Sequence, residues 1–270
     1  MGVVSGGLRA SPRPVQRSNM NNSFGALCDD FYVSSRLFLK LEMGLEAEAV
    51  LHFFDRLRKE YPGLRKLRRR EAGALTIEDE ADEQGSRRWV RVDPASLRFG
   101  HYAPTDTDQV RKFGDLVLNQ APYHLTLSDL VYDHLEVIYG FDLRYRGNHD
   151  QLVAETFAGD HAATGFLFGD RAAHIIDTQP YFGVALTPEC DLQAYIEVKS
   201  RTSTFEVRSG TFEGEPISVF LTVRKYWGLE GTGSPAHALK GLFDIADELA
   251  ADKIIPHFVN PLAAAIASRS

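Results

Sequence analysis

Between Val131 and Tyr145 the odd-numbered positions read Val131, Asp133, Leu135, Val137, Tyr139, Phe141, Leu143 and Tyr145, while the even ones include His134, Glu136, Asp142 and Arg144. Successive side chains of a strand point to opposite faces, so this period of two dictates a long strand with one apolar and one mixed face. Such a strand is incomplete alone. Its apolar face must meet helices or another sheet, and its mixed face must meet water or a partner.

The same alternation runs from Phe31 to Met43, with Phe31, Val33, Leu37, Leu39 and Leu41 on one side and Tyr32, Arg36, Phe38 and Lys40 on the other. After Gly44 the period becomes helical: Val50, Phe53, Phe54, Leu57 and Tyr61 share one face until Pro62-Gly63 stops the helix. Strands near 74–80 and 87–93 flank a turn at Gln84-Gly85, and a helix over 106–119 carries Val110, Phe113 and Val117. The order β-α-β-β-α-β predicts an α+β fold whose first lobe, residues 23–147, is ferredoxin-like, with two helices on one face of an antiparallel sheet.

Gly147 punctuates the boundary, and Asn148-His149-Asp150-Gln151 reads as a helix start. Residues 148–270 predict a second α+β lobe with a helix over 149–158 and strands over 182–187 and 192–201. A later strand there carries Ile217, Val219, Leu221 and Val223 on one face. Ser234-Pro235 predicts the start of a helix bearing Leu239, Leu242, Phe243 and Ala246, which Pro256 is expected to break before a last helix with Val259, Leu262 and Ile266.

This layout resembles a sporadically distributed family of two-lobed bacterial proteins of similar length. The resemblance is carried by Arg58-Lys59-Glu60-Tyr61-Pro62 and by Leu242-Phe243-Asp244-Ile245-Ala246-Asp247-Glu248, and it brings no activity with it.

Hydrophobic and charged fractions of 44% and 25% fit a folded chain, and a net charge of -7 repels polyphosphate backbones and anionic membranes. General nucleic-acid binding is therefore not expected. The basic run Arg65, Lys66, Arg68, Arg69 and Arg70 reads as a solvated helix end and hairpin, since Glu78, Asp79, Glu80, Asp82 and Glu83 follow it. No apolar stretch is long enough for a membrane span, and two distant cysteines, Cys28 and Cys190, fit a reducing cytoplasm. Residues 1–22 read as a flexible tail, with Met20 as a second possible start.

Chemistry-bearing patterns are sparse. His149, Asp150, Asp160, His161, Asp170, His174 and Asp177 crowd one segment, but their spacings match no helical ligand pair, so neither a metal site nor a cofactor is expected. Phosphate loops, nucleophile elbows and zinc-protease helices are missing from the sequence. The mixed strand faces are the remaining candidate: Arg36, Lys40, Arg144, Glu197, Lys199, Arg201, Arg224 and Tyr226 can present forked donors and a ring to an anionic group. Glu197-x-Lys199-x-Arg201 resembles the charged strand of triphosphate tunnel enzymes, although their paired glutamates are absent. The rings Tyr32, Phe38, Phe220 and Tyr226 stand among these charges, and leaving them wet forgoes roughly 1.5–3 kcal/mol each. The sequence thus predicts sheet faces that bind a protein partner or a second copy, with a small-anion or nucleotide enzyme having a cleft between lobes as the alternative.

Overall fold

The computed structural model describes residues 24–44, 46–70, 73–162, 174–227 and 233–269. The fold is α+β, built on one nine-stranded sheet. Its strands are β1 (Asp30–Leu39), β2 (Leu64–Arg69), β3 (Leu75–Asp79), β4 (Arg87–Asp93), β5 (Ser96–Tyr102), β6 (Tyr132–Arg144), β7 (Tyr181–Ala185), β8 (Leu192–Lys199) and β9 (Pro216–Tyr226). All neighbouring pairs are antiparallel, in the order β2-β3-β4-β5-β1-β6-β9-β8-β7.

The helices are α1 (Ala47–Glu60), α2 (Thr107–Leu125), α3 (His149–Ala158), α4 (Thr204–Ser209), α5 (Pro235–Leu249) and α6 (Asn260–Ala267). Four of them start at favourable local chemistry. Asp106 and Asn148 accept from the backbone N–H groups of Gln109 and Gln151, and Ser203 and Glu206 close a reciprocal capping box. Pro235 sits in the first turn of α5, where its missing N–H costs nothing.

Alternation decides which face is buried. Phe31, Val33, Leu37, Leu39, Leu135, Val137, Tyr139, Phe141, Ile217, Val219, Leu221 and Val223 are buried on one side. Rings tie that side to the helices: Phe99 meets Phe113 of α2, and Tyr139 meets Phe243 of α5. The Tyr139 hydroxyl donates to Asp247 Oδ1 at 2.6 Å, and Arg111 of α2 reaches Asp247 and Asp244, clamping two helices over β6.

Three expectations are corrected. The two halves of the chain do not carry separate sheets: β6 of the first half pairs with β9 of the second along eleven residue positions, and a single core cluster spans both. The basic run forms no helix end, because α1 stops at Glu60 and residues 64–69 are the edge strand β2, whose Arg68 meets Glu78 of β3 at 2.8 Å. Pro256 does not break the last helix. Residues 250–259 wind as a π-helix between α5 and α6, and the wider i→i+5 turn accommodates the ring in place of the ordinary ladder. Two further stretches, strand β5 and its Pro94-Ala95 turn, were not expected at all.

Candidate binding face

The sheet face opposite the helices is built by register. Directly opposed residues align Arg91 of β4, Arg98 of β5, Arg36 of β1, Glu136 of β6, Arg224 of β9 and Gln193 of β8 in one row. Cross-strand neighbours stand about 4.5–5.5 Å apart at Cβ, so three guanidinium groups are forced side by side.

Two carboxylates answer four arginines. Asp93 accepts from Arg91 at 2.7 Å and lies 3.2 Å from Arg98 Nε, and Glu136 accepts from Arg224 Nε and Nη2 at 3.2 and 2.8 Å. Arg36 instead lies 3.7 Å over the Phe38 ring, and its buried Nε has no hydrogen-bond partner. Burial, followed by the neighbouring Arg98, pushes Arg36 below its ordinary pKa. The row therefore keeps a positive excess, on a molecule that is negative as a whole.

Aromatic rings pave the rest. His134 stacks on Phe38 at 4.0 Å, donates from Nδ1 to Asp133 at 2.8 Å and meets Tyr226, whose hydroxyl accepts from Arg224 at 3.1 Å. Burial holds His134 below its usual pKa despite that carboxylate. Three rings lie across glycines placed opposite them by register: Trp89 over Gly100, Tyr32 over Gly140 and Tyr195 over Gly183. A missing Cβ lets each ring lie down on the neighbouring strand, the same device that shields glycines in other sheets. Phe38, against Arg36 and His134, and Phe220, against Tyr32, are partly buried by neighbouring side chains of the same face.

At the far end of β6, Ser218 donates to Asp142 at 2.5 Å, and Arg201 donates to Ser218 Oγ at 2.8 Å. Burial pushes the Asp142 carboxyl up, while hydrogen bonds from Ser218 and Tyr32 and the Arg201 charge oppose that shift.

The structure gathers some of the residues selected from sequence and scatters others. Arg36, Arg224 and Tyr226 meet around Glu136 and His134; Glu197 stands in register with Phe220 on the same face. Lys199 and Arg201 belong to the far end, where exposed Arg144 pairs with Asp30 at 3.1 Å. Lys40 is exposed beyond the β1 bulge. Arg91, Asp93 and Arg98 escaped selection. Their signal was the alternation of Arg91 and Asp93 with Val90 and Val92, and of Arg98 with Leu97 and Phe99.

Of the histidine–aspartate segment, His149 is buried, accepts from the Arg201 N–H and donates to the Tyr145 carbonyl, and Asp150 takes Ser200 and the Thr178 N–H. Asp160, His161, His174 and Asp177 are exposed, and Asp170 lies outside the described residues. Among the described residues no three His, Cys, Asp or Glu side chains converge. Under the helices, the Ser86 hydroxyl meets His101 Nε2 at 2.9 Å beside Asp79 and Arg88. That pair has the composition of a nucleophile and base, but His101 Nδ1 has no partner to fix its tautomer. Burial raises the Cys28 thiol to about 12, far from a reactive thiolate, and Cys190 lies exposed in a left-handed turn.

Compared with known proteins, the sequence matches no family model and no curated protein. Among the described residues no helix is long and apolar enough to cross a membrane.

Proposed function

We propose that this chain is a binding protein whose helix-free sheet face docks an acidic segment of a partner protein. The observation that carries this reading is the register-aligned row Arg91-Arg98-Arg36, in which Asp93 pairs with Arg91 and Arg98 while Glu136, opposite Arg36, is engaged by Arg224, all set in a floor of flat rings. Guanidinium forks recognise carboxylates bidentately, and rings laid flat supply apolar contact at little entropic cost. The spatial order β6-β1-β5-β4, with α1 and α2 on one side, supports treating residues 23–147 as a ferredoxin-like unit into which the β2–β3 hairpin is inserted. The continuity of the sheet supports one shared face for both halves of the chain; it gives no support to the alternative of an anion held in a cleft between lobes.

The chain's two tryptophans make this testable. With Trp227→Phe, Trp89 alone reports from the face. A glutamate-rich peptide is expected to change Trp89 emission, salt to screen the effect, and Arg98→Gln to remove most of it. No change at any concentration, or the same change with a lysine-rich peptide, contradicts the proposal.

A further inference from the structure

The two ends of the sheet are built differently. At one edge β2 exposes Arg65, Lys66, Arg68 and Arg69, the charged edge by which sheets avoid pairing with other chains. At the other edge β7 reads Tyr-Phe-Gly-Val-Ala, without a charge, and all five residues are exposed; Tyr181, Phe182 and Val184 keep 59%, 55% and 56% of their surface in water.

Hydrogen bonding fixes which way its peptide groups point. Leu186 N–H donates to the Leu192 carbonyl at 2.8 Å, and Val198 N–H donates to the Pro180 carbonyl at 2.9 Å. Even-numbered residues of this stretch therefore turn their peptide groups toward β8. Tyr181, Gly183 and Ala185 turn theirs outward, a repeat of two centred on Gly183.

We infer that β7 pairs antiparallel with β7 of a second copy of this chain, about a two-fold axis that runs perpendicular to the sheet midway between the two opposed Gly183 residues. This inference stands apart from the acidic-partner reading, since it uses the edge and not the face. The sequence is complementary to itself in that register. Tyr181 opposes the second copy's Ala185, Phe182 its Val184 and Gly183 its Gly183, so each large side chain faces a smaller one and no like charges meet. Phe182 with Val184 is the aromatic and β-branched combination favoured across strands. The three outward residues exchange backbone hydrogen bonds in full, which no shifted register achieves. Because β2 is blocked by its charges, the contact closes at two copies and does not propagate.

Only a short edge is joined, so association is expected at about micromolar concentration. Sedimentation velocity on the full chain, over about two decades around that range, is expected to pass from monomer to dimer. Ala185→Pro removes an outward N–H and leaves the β8 ladder intact; it should weaken the dimer by about tenfold or more, as should Val184→Lys, while Leu67→Lys on β2 changes nothing. Hydrogen exchange of the wild type guards against misfolded variants: protection at Tyr181, Gly183 and Ala185 should rise with concentration. A monomer throughout the range overturns the inference and leaves the edge to a strand of another protein. A dimer indifferent to both β7 substitutions, with those amides unprotected, overturns it equally.

Discussion

Gly100 shows how one missing side chain shapes the open face. A Cβ there would stand 2.7 Å from the Val33 carbonyl oxygen and 2.9 Å from the Trp89 ring, and the backbone oxygen cannot step aside. Gly100→Ala should therefore cost about 1–3 kcal/mol in urea unfolding, with Gly25→Ala, which meets nothing within 4 Å, close to neutral. His101 sets a pH dependence. Burial, and then the Arg88 charge, hold it at about 4 against 6.5 when free, so the unfolded chain binds more protons between those values. Stability is then full above 6.5 and falls as pH drops toward 4. His134 and His149, also lowered by burial, act in the same direction, and Asp142, raised by burial, opposes them. His101→Gln should flatten the urea midpoint against pH by about one proton, and an unchanged slope contradicts the assignment.

Among the elements, the clamp of α2 and α5 on β6 rests on Asp247, which takes the Tyr139 hydroxyl and the Arg111 guanidinium. Tyr139→Phe removes one hydrogen bond and should cost about 1 kcal/mol, while Arg111→Met removes a charged partner from the mostly buried Asp247 carboxylate and should cost about 1.5–3 kcal/mol by chemical denaturation. Equal, negligible losses would show the clamp to be idle. Of its three members, Tyr139 was visible in the sequence by its odd position in the long strand and Asp247 only within the stretch Leu242-Phe243-Asp244-Ile245-Ala246-Asp247-Glu248, while Arg111 carried no signal of its own. Alternation was enough to give β1, β6 and β9 and their buried face, because long strands repeat the signal. It failed at β5, where His101 and Gly100 interrupt a short run, and at β2, where every residue after Leu64 is exposed and no apolar face exists to read. Pro256 misled because the usual penalty assumes α-helical winding, and a π segment relaxes it. The arginine row was illegible for another reason: it exists only once register sets Arg91, Arg98 and Arg36 side by side, and residues on three strands carry no mutual spacing in the chain.

For the molecule as a whole, one continuous sheet divides the chain's chemistry between two sides. Helices take the apolar side, and the other side keeps the arginines and rings, at odds with a net charge of -7. In the proposed docking, such a positive field on an acidic molecule would orient an approaching acidic partner, while ring burial would supply most of the adhesion. Phe38→Ala should therefore weaken a partner complex by about 1.5–3 kcal/mol, and Lys40→Ala, which removes an exposed charge outside the row, by less than about 1 kcal/mol, as read by competition binding. The most direct test of the docking face is quantitative affinity capture from lysate with three matched baits of verified fold: the native chain, Arg36→Gln/Arg98→Gln, and the helix-side control Lys59→Gln. Acidic proteins held by the native chain and the control, and lost from the double variant, are the predicted result. Identical captured sets on all three baits would contradict it.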